Sequence, residues 1–225
     1  MGIVDGEAGN GAKILAVDDV EAKRYAWVKI LTRAGFHVST ASTGKEALTR
    51  VKENPDLVIP ADYYNEYVLL ARTMQQQKVR PKGIYSVLGG AASSYKFVKE
   101  FPEAAQYIMD CNHWFDPKNA KAQELKKKVE AQGQFYTYEV YMNYSAVLLT
   151  ADAIMRAGAA DRAKVIAALE SSTFAGHVMP YGPTKFVNGQ NQGAAPVNTQ
   201  VIGNDIQVIM PDNFASAKPV FPRPA

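Results

Sequence analysis

Short apolar runs alternate along this chain with longer stretches whose apolar residues recur every three or four positions. Lys13-Ile14-Leu15-Ala16-Val17 is such a run, and it ends in Asp18-Asp19, which predicts a first strand and its carboxyl-end loop. From Val20 to Ala34 the spacing is helical, with Ala22, Tyr25, Val28, Leu31 and Ala34 on one face, and Gly35 stops the helix as a left-handed cap would. Phe36 to Thr40 alternates as a second strand, and Thr43 opens a second helix that runs to Glu53. Asp56-Leu57-Val58-Ile59, bounded by Pro55 and Pro60, suits a buried parallel strand that must end at Pro60, which has no N–H to give a ladder. The result is β-α-β-α-β with short loops, the pattern of a parallel sheet with right-handed crossovers.

The alternation continues beyond Pro60. Tyr64, Val68, Leu69, Ala71 and Met74 make a helix stripe, and Ile84 to Leu88 is a buried-type strand ending in Gly89-Gly90. A short helix over 94–100, a strand at Tyr107-Ile108-Met109 and a charged surface helix over 119–131 follow. The stretch 138–155 carries Tyr141, Tyr144, Val147, Leu148, Ala151 and Ile154 at helical spacing and so needs a broad apolar partner. Asp161 is a fair N-cap for a helix through Leu169. Residues 182–200 read as loop, 207–210 as a late strand, and the tail with Pro219, Pro222 and Pro224 as extended chain.

Composition narrows the function without naming it. The 225 residues carry a net charge of +3, and no basic run interleaves with aromatics, so nucleic acid is not an expected partner. Cys111 is alone, which rules out an intramolecular disulfide. No stretch approaches the roughly 20 apolar residues of a membrane span. The amino terminus, MGIVDGEAGNG, lacks the basic and apolar regions of a secretory signal, so it reads as a flexible tail and the chain as cytoplasmic. His37, His113 and His177 are not expected to cluster, so no metal-ligand spacing is predicted from them, and Trp114 reads as a packing residue. No cofactor fingerprint is present. Nothing here points to an enzyme.

Residues 14–19 (ILAVDD), 33–36 (RAGF), 41–48 (ASTGKEAL) and 55–59 (PDLVI) together resemble the receiver domain of bacterial response regulators, a flavodoxin-like fold of two-component phosphorelays. The resemblance implies an Mg²⁺ site at Asp18 and Asp19 beside a phosphoacceptor aspartate. That register puts Ala61 at the acceptor position, with Asp62 one place late, so the metal site is expected as a vestige without phosphotransfer. The lysine that a receiver carries after its fifth strand falls near Asp110, and its small hydroxyl residue falls near Gly89.

From Pro60 onward the resemblance changes. Residues 61–74, 82–90, 136–158, 161–176 and the ending VIMPDNFASAKPVFPRP look like a branched-chain amino acid or amide solute-binding protein of the type I periplasmic fold, which feeds an ABC transporter. The expected fold is α/β, a three-layer doubly wound parallel sheet (flavodoxin-like, or one lobe of a type I binding protein) with a helical remnant of a second lobe. Its expected parts are a tail (1–11), a receiver-like half (12–59), a lobe completing the sheet (60–135), a partial second lobe (136–200) and a late strand with its tail (201–225). Such a chain is a chimera, designed or accidental.

The resemblance implies that an aromatic after the third strand packs on the ligand, which singles out Tyr63 and Tyr64. Gly89, Gly90, Ser93 and Ser94 lie on the same sheet edge and could cradle a carboxylate. GGAASS carries no acid to meet a ligand ammonium. The expected function is weak, impaired or lost binding of an amino-acid-like or amide solute, with receiver-type signalling as the alternative. A homodimer through 138–155 is the expected way to cover that stripe.

Overall fold

The computed structural model describes residues 11–51, 55–61, 63–87 and 91–224. They fall into two units, each described by itself: residues 1–112, 199–207 and 218–225 in unit 1, and residues 113–198 and 208–217 in unit 2.

Unit 1 is built on a mostly parallel sheet, to which residues 199–202 and 205–207 of the last two strands belong. β1 (Lys13–Val17), β2 (His37–Ala41), β3 (Leu57–Pro60), β4 (Gly83–Val87) and β5 (Met109–Asn112) are joined by β8 (Val197–Ile202) and β9 (Asp205–Met210) in the order β2-β1-β3-β4-β5-β8-β9. β1 pairs in parallel with both β2 and β3, with Val17 opposite Ala41 on one side and Pro60 on the other. Pro60 is therefore the last residue of its strand, as a residue without an N–H must be. Ile14, Leu15, Ala16, Val17 and Val58 are buried, because both faces of a central parallel strand are covered. At the other end of the sheet Gly203 and Asn204, both at positive φ, form the two-residue turn between β8 and β9.

The connecting helices are α1 (Glu21–Arg33), α2 (Gly44–Val51), α3 (Tyr64–Gln76), α4 (Tyr95–Glu100) and α5 (Pro102–Ala105). Gly35 has φ 88°, and the Phe36 N–H reaches back to the Leu31 carbonyl at 3.1 Å, which closes α1 as its sequence predicts. Two predicted helix faces are corrected. Tyr25 is 61% exposed, and the half-buried residues of α1 are Arg24, Trp27, Val28 and Leu31. Leu69 is 67% exposed, while Tyr67 and Leu70 turn inward beside Val68, Ala71 and Met74. Both shifts are a rotation of the face by a residue or two, which apolar spacing alone does not resolve when large apolar residues stand on both sides.

The fifth strand is also displaced. Tyr107 has φ 63° and its N–H bonds the Val201 carbonyl at 2.9 Å, so it is a turn residue, and β5 begins at Met109 and runs through Asp110.

Unit 2 holds α6 (Ala120–Ala131), α7 (Tyr138–Ala157), α8 (Arg162–Glu170) and the small hairpin β6 (Phe186–Val187) and β7 (Gln190–Asn191). Asn119 and Asp161 cap α6 and α8, accepting the Lys121 and Ala122 N–H groups and the Lys164 N–H respectively. Its aromatic core is Trp114, Phe115, Tyr136 and Tyr141, all nearly inaccessible, with ring centroids 4.9–5.8 Å apart. Trp114 is the packing residue its sequence context predicts. The α7 stripe is corrected: Tyr141, Ser145 and Ala153 are buried, whereas Val147 is 65% exposed and Ile154 stands at the surface. No helix among the described residues is long and apolar enough to cross a membrane.

Candidate solute cleft

The carboxyl ends of β1 and β3 open into a cleft of about 1070 Å³ that lies wholly within unit 1. Its floor is Val17, Ala61 and Val87. Helix α1 contributes Lys23, Ala26, Trp27 and Ile30, the start of α2 contributes Thr43, Gly44, Lys45 and Leu48, and α3 contributes Glu66, Leu69, Leu70 and Thr73. Asp18, Asp19, Ser42 and Tyr63 complete the lining. This is the sheet edge at which open α/β folds bind ligands, and the lining is mainly apolar with a few polar groups, as small-molecule sites are.

Local sequence explains each polar group. Asp18 is 1% exposed because the Val20 N–H donates to its Oδ1 at 2.9 Å, which turns the carboxylate back over the start of α1. Arg24 clamps the same loop by donating to the carbonyls of Asp18 and Asp19 at 2.7 and 2.9 Å. Among the described residues Asp18 Oδ2 has no hydrogen-bond partner, and Lys23 Nζ stands 3.9 Å from it. Asp19 is exposed. At the second loop the Thr43 hydroxyl accepts the Glu46 N–H, and the Glu46 carboxylate accepts the Ser42 N–H and hydroxyl, a relative of the capping box. The Ser42 N–H holds the Glu46 carboxyl below its ordinary range.

Tyr63 is 88% exposed and faces the cleft. Tyr64 does not line it: its ring lies under Lys96 Nζ at 5.5 Å, and burial, with Glu100 nearby, pushes its hydroxyl pKa up. Ser93 is buried and donates to Asp110 Oδ2, so its hydroxyl is spent inside the sheet rather than offered to a ligand. Asn112 adds a second donor to the same oxygen at 3.3 Å. Burial pushes the Asp110 carboxyl pKa up, and the bonds from Ser93 and Asn112 oppose that rise. Ser94 caps α4 by position without a side-chain bond, and it does not line the cleft. Gly89, Gly90 and Asp62 lie outside the described residues.

The structure thus brings Tyr63 together with Asp18 and Asp19, which the sequence assigned to two separate sites. It adds Lys23, Trp27, Lys45, Leu48 and Glu66, which sequence reading missed because helical residues of this kind read as core or as solvated surface. For the Mg²⁺ expectation, no group of three or more His, Cys, Asp or Glu fit to hold a metal gathers among the described residues.

Two of the three histidines share a cavity. His113 and His177 both line a cavity of about 210 Å³ inside unit 2, with Tyr181 and Ser145. The Met179 N–H donates to His177 Nδ1 at 3.3 Å, so Nε2 carries the proton and meets the Gly182 carbonyl at 3.0 Å. Both ring nitrogens are committed, which leaves none for a metal.

Comparisons with known proteins agree with this architecture. A leucine binding protein LivK from Thermotoga maritima MSB8 superposes with a TM-score of 0.68 at 20% identity, over 88% of this chain and 60% of that one. A putative branched-chain amino acid ABC transporter from Silicibacter pomeroyi gives a TM-score of 0.70 at 17% identity, over 94% and 61%. The chain therefore spans about three fifths of the length of either. A CheY-like response regulator receiver domain protein from Methanospirillum hungatei JF-1 aligns over 34% of this chain and 64% of its own, at 21% identity and a TM-score of 0.32. No curated protein matches the sequence. The family described as periplasmic binding protein matches residues 21–205, from the start of α1 to the start of β9, and to that family this chain belongs.

Proposed function

We propose that unit 1 binds a small organic solute in the cleft at the carboxyl ends of β1 and β3. The observation that supports this reading is the cleft itself, with Tyr63 standing 88% exposed in a lining that joins apolar side chains to a few charged and hydroxyl groups. Amino-acid-like and amide solutes, delivered to an ABC importer, are the classes the family relation suggests. An open cleft buries less of its ligand than the 70–90% usual in closed pockets, so affinity is expected at roughly millimolar. Residues 12–59 are, in this reading, a receiver-derived half that substitutes for the leading β-α-β-α-β of a binding lobe, with Asp18 and Asp19 as a vestigial metal site. Receiver signalling is disfavoured, since Ala61 occupies the acceptor position on the floor of the cleft. Pairing of two copies through 138–155 would cover Met142, Val147, Ile154 and Met155, all exposed.

Calorimetry of the full chain against leucine, short amides and aromatic acids tests the proposal. Binding that weakens several-fold in Tyr63→Ala supports it. Micromolar binding indifferent to Tyr63→Ala places the site elsewhere.

A further inference from the structure

Among the described residues, Asp18 is the cleft-lining side chain that carries a buried oxygen without a hydrogen-bond partner. Its side chain is 1% exposed, Oδ1 is engaged by the Val20 N–H, and Oδ2 has no hydrogen-bond partner. A carboxylate oxygen removed from water without a donor costs the protein its desolvation, so such an oxygen is a standing demand for an N–H or O–H group. Lys23 does not answer it: its ammonium is 3.9 Å away and its side chain is 62% exposed, whereas a charge-assisted bond closes to about 2.7–2.9 Å. The cleft that Asp18 lines also offers apolar surface, in Val17, Ala26, Trp27, Ile30 and Leu48.

We propose that Asp18 recognises a protonated amine carried on an apolar body, the ammonium on Oδ2 and the body against Trp27, Ile30 and Leu48. The inference rests on the reading of this cleft as a solute site. An ammonium has three donors to give and supplies the charge Asp18 lacks at bonding distance, while the aliphatic and indole surfaces exclude water around the pair. A divalent cation fits worse, since it asks for about six oxygens. Here one buried carboxylate oxygen lacks a donor, a lysine stands 3.9 Å from it, and the described residues gather no group of three potential ligands. An anionic ligand head would meet Lys23 and Lys45 at the lining but would leave Asp18 unanswered.

The test is calorimetry on the full chain with 2-phenylethylammonium and its anionic counterpart 3-phenylpropanoate. The ammonium should bind at least about tenfold more tightly, the worth of one ionic hydrogen bond. Asp18→Asn should erase that preference, and Lys23→Ala, which removes the competing cation, should tighten ammonium binding a few-fold. Circular dichroism checks that Asp18→Asn folds. If it does not, the Lys23→Ala arm decides, and unchanged ammonium affinity there overturns the proposal. Equal binding of both probes, weakened by Tyr63→Ala but not by Asp18→Asn, keeps the cleft as a solute site and overturns the role of Asp18. Mg²⁺ binding that depends on Asp18 and displaces the amine also overturns it. Failure of both probes to bind overturns the solute cleft and this inference together.

Discussion

Helices α1 and α3 are both thirteen residues long and both line the cleft, yet α1 has no buried residue and α3 has five. In α3, Tyr67 packs edge-on against Phe97 at 6.1 Å, and Met74 is 2% exposed. In α1 the best-covered residues, Trp27, Val28 and Leu31, are only half-buried, while Tyr25 and Ile30 stand about 60% exposed. Helical stability in proteins comes mostly from the packed face. One wall of the cleft is therefore anchored and the other rests lightly on the sheet. Both helices lie within the residues that the periplasmic binding protein family matches, so the contrast is one of packing inside a single family fold. A binding site with one yielding wall can adapt to its ligand, and it pays for that in affinity.

The contrast breaks most visibly under truncation. Tyr67→Ala should cost about 3–5 kcal/mol of unit 1 stability, since it empties a fully enclosed aromatic position, and Trp27→Ala only about 1 kcal/mol, since that ring is half in water already. Urea denaturation followed by circular dichroism compares the two, and equal losses would show that α1 is anchored as firmly as α3. Unit 2 offers a second small effect for reference. Asn119→Ala removes the acceptor for two N–H groups at the start of α6 and should cost about 1 kcal/mol, read from the same melts.

A subtler effect sharpens the picture of the anchored side. Burial raises the Asp110 carboxyl above its ordinary range, so between the unfolded value of about 4 and that raised value the folded chain holds a proton the unfolded chain has lost. Stability therefore falls as pH rises through that window, and Asp110→Asn is free of the effect. Denaturation midpoints should favour the parent over Asp110→Asn progressively as pH is lowered from neutral to about 4. A difference that moves the other way would mean that the bonds from Ser93 and Asn112 outweigh burial.

Much of this architecture is legible in the residues. The first strand spans Lys13–Val17, and the doubly wound sheet follows from strands alternating with amphipathic stretches. β5 was misplaced for a physical reason. The apolar run Tyr107-Ile108-Met109 looks like a strand, but the ladder continues through Asp110 and Asn112, buried polar residues whose partner Ser93 lies 17 positions from Asp110. No local pattern announces such a pairing. The site was half visible. Tyr63, Asp18 and Asp19 stand in loops at strand ends, where ligand groups are looked for. Trp27, Lys45 and Leu48 sit on helices, and only the fold reveals that they line the same space.

The solute cleft is tested most directly by mapping amide chemical shifts in the full chain during a titration with leucine or 2-phenylethylammonium. The account predicts saturable shifts confined to 17–19, 26–30, 43–48, 61 and 63–73, with 120–155 unmoved. Shifts centred on His113, Ser145 and His177 instead, the lining of the unit 2 cavity, would contradict it.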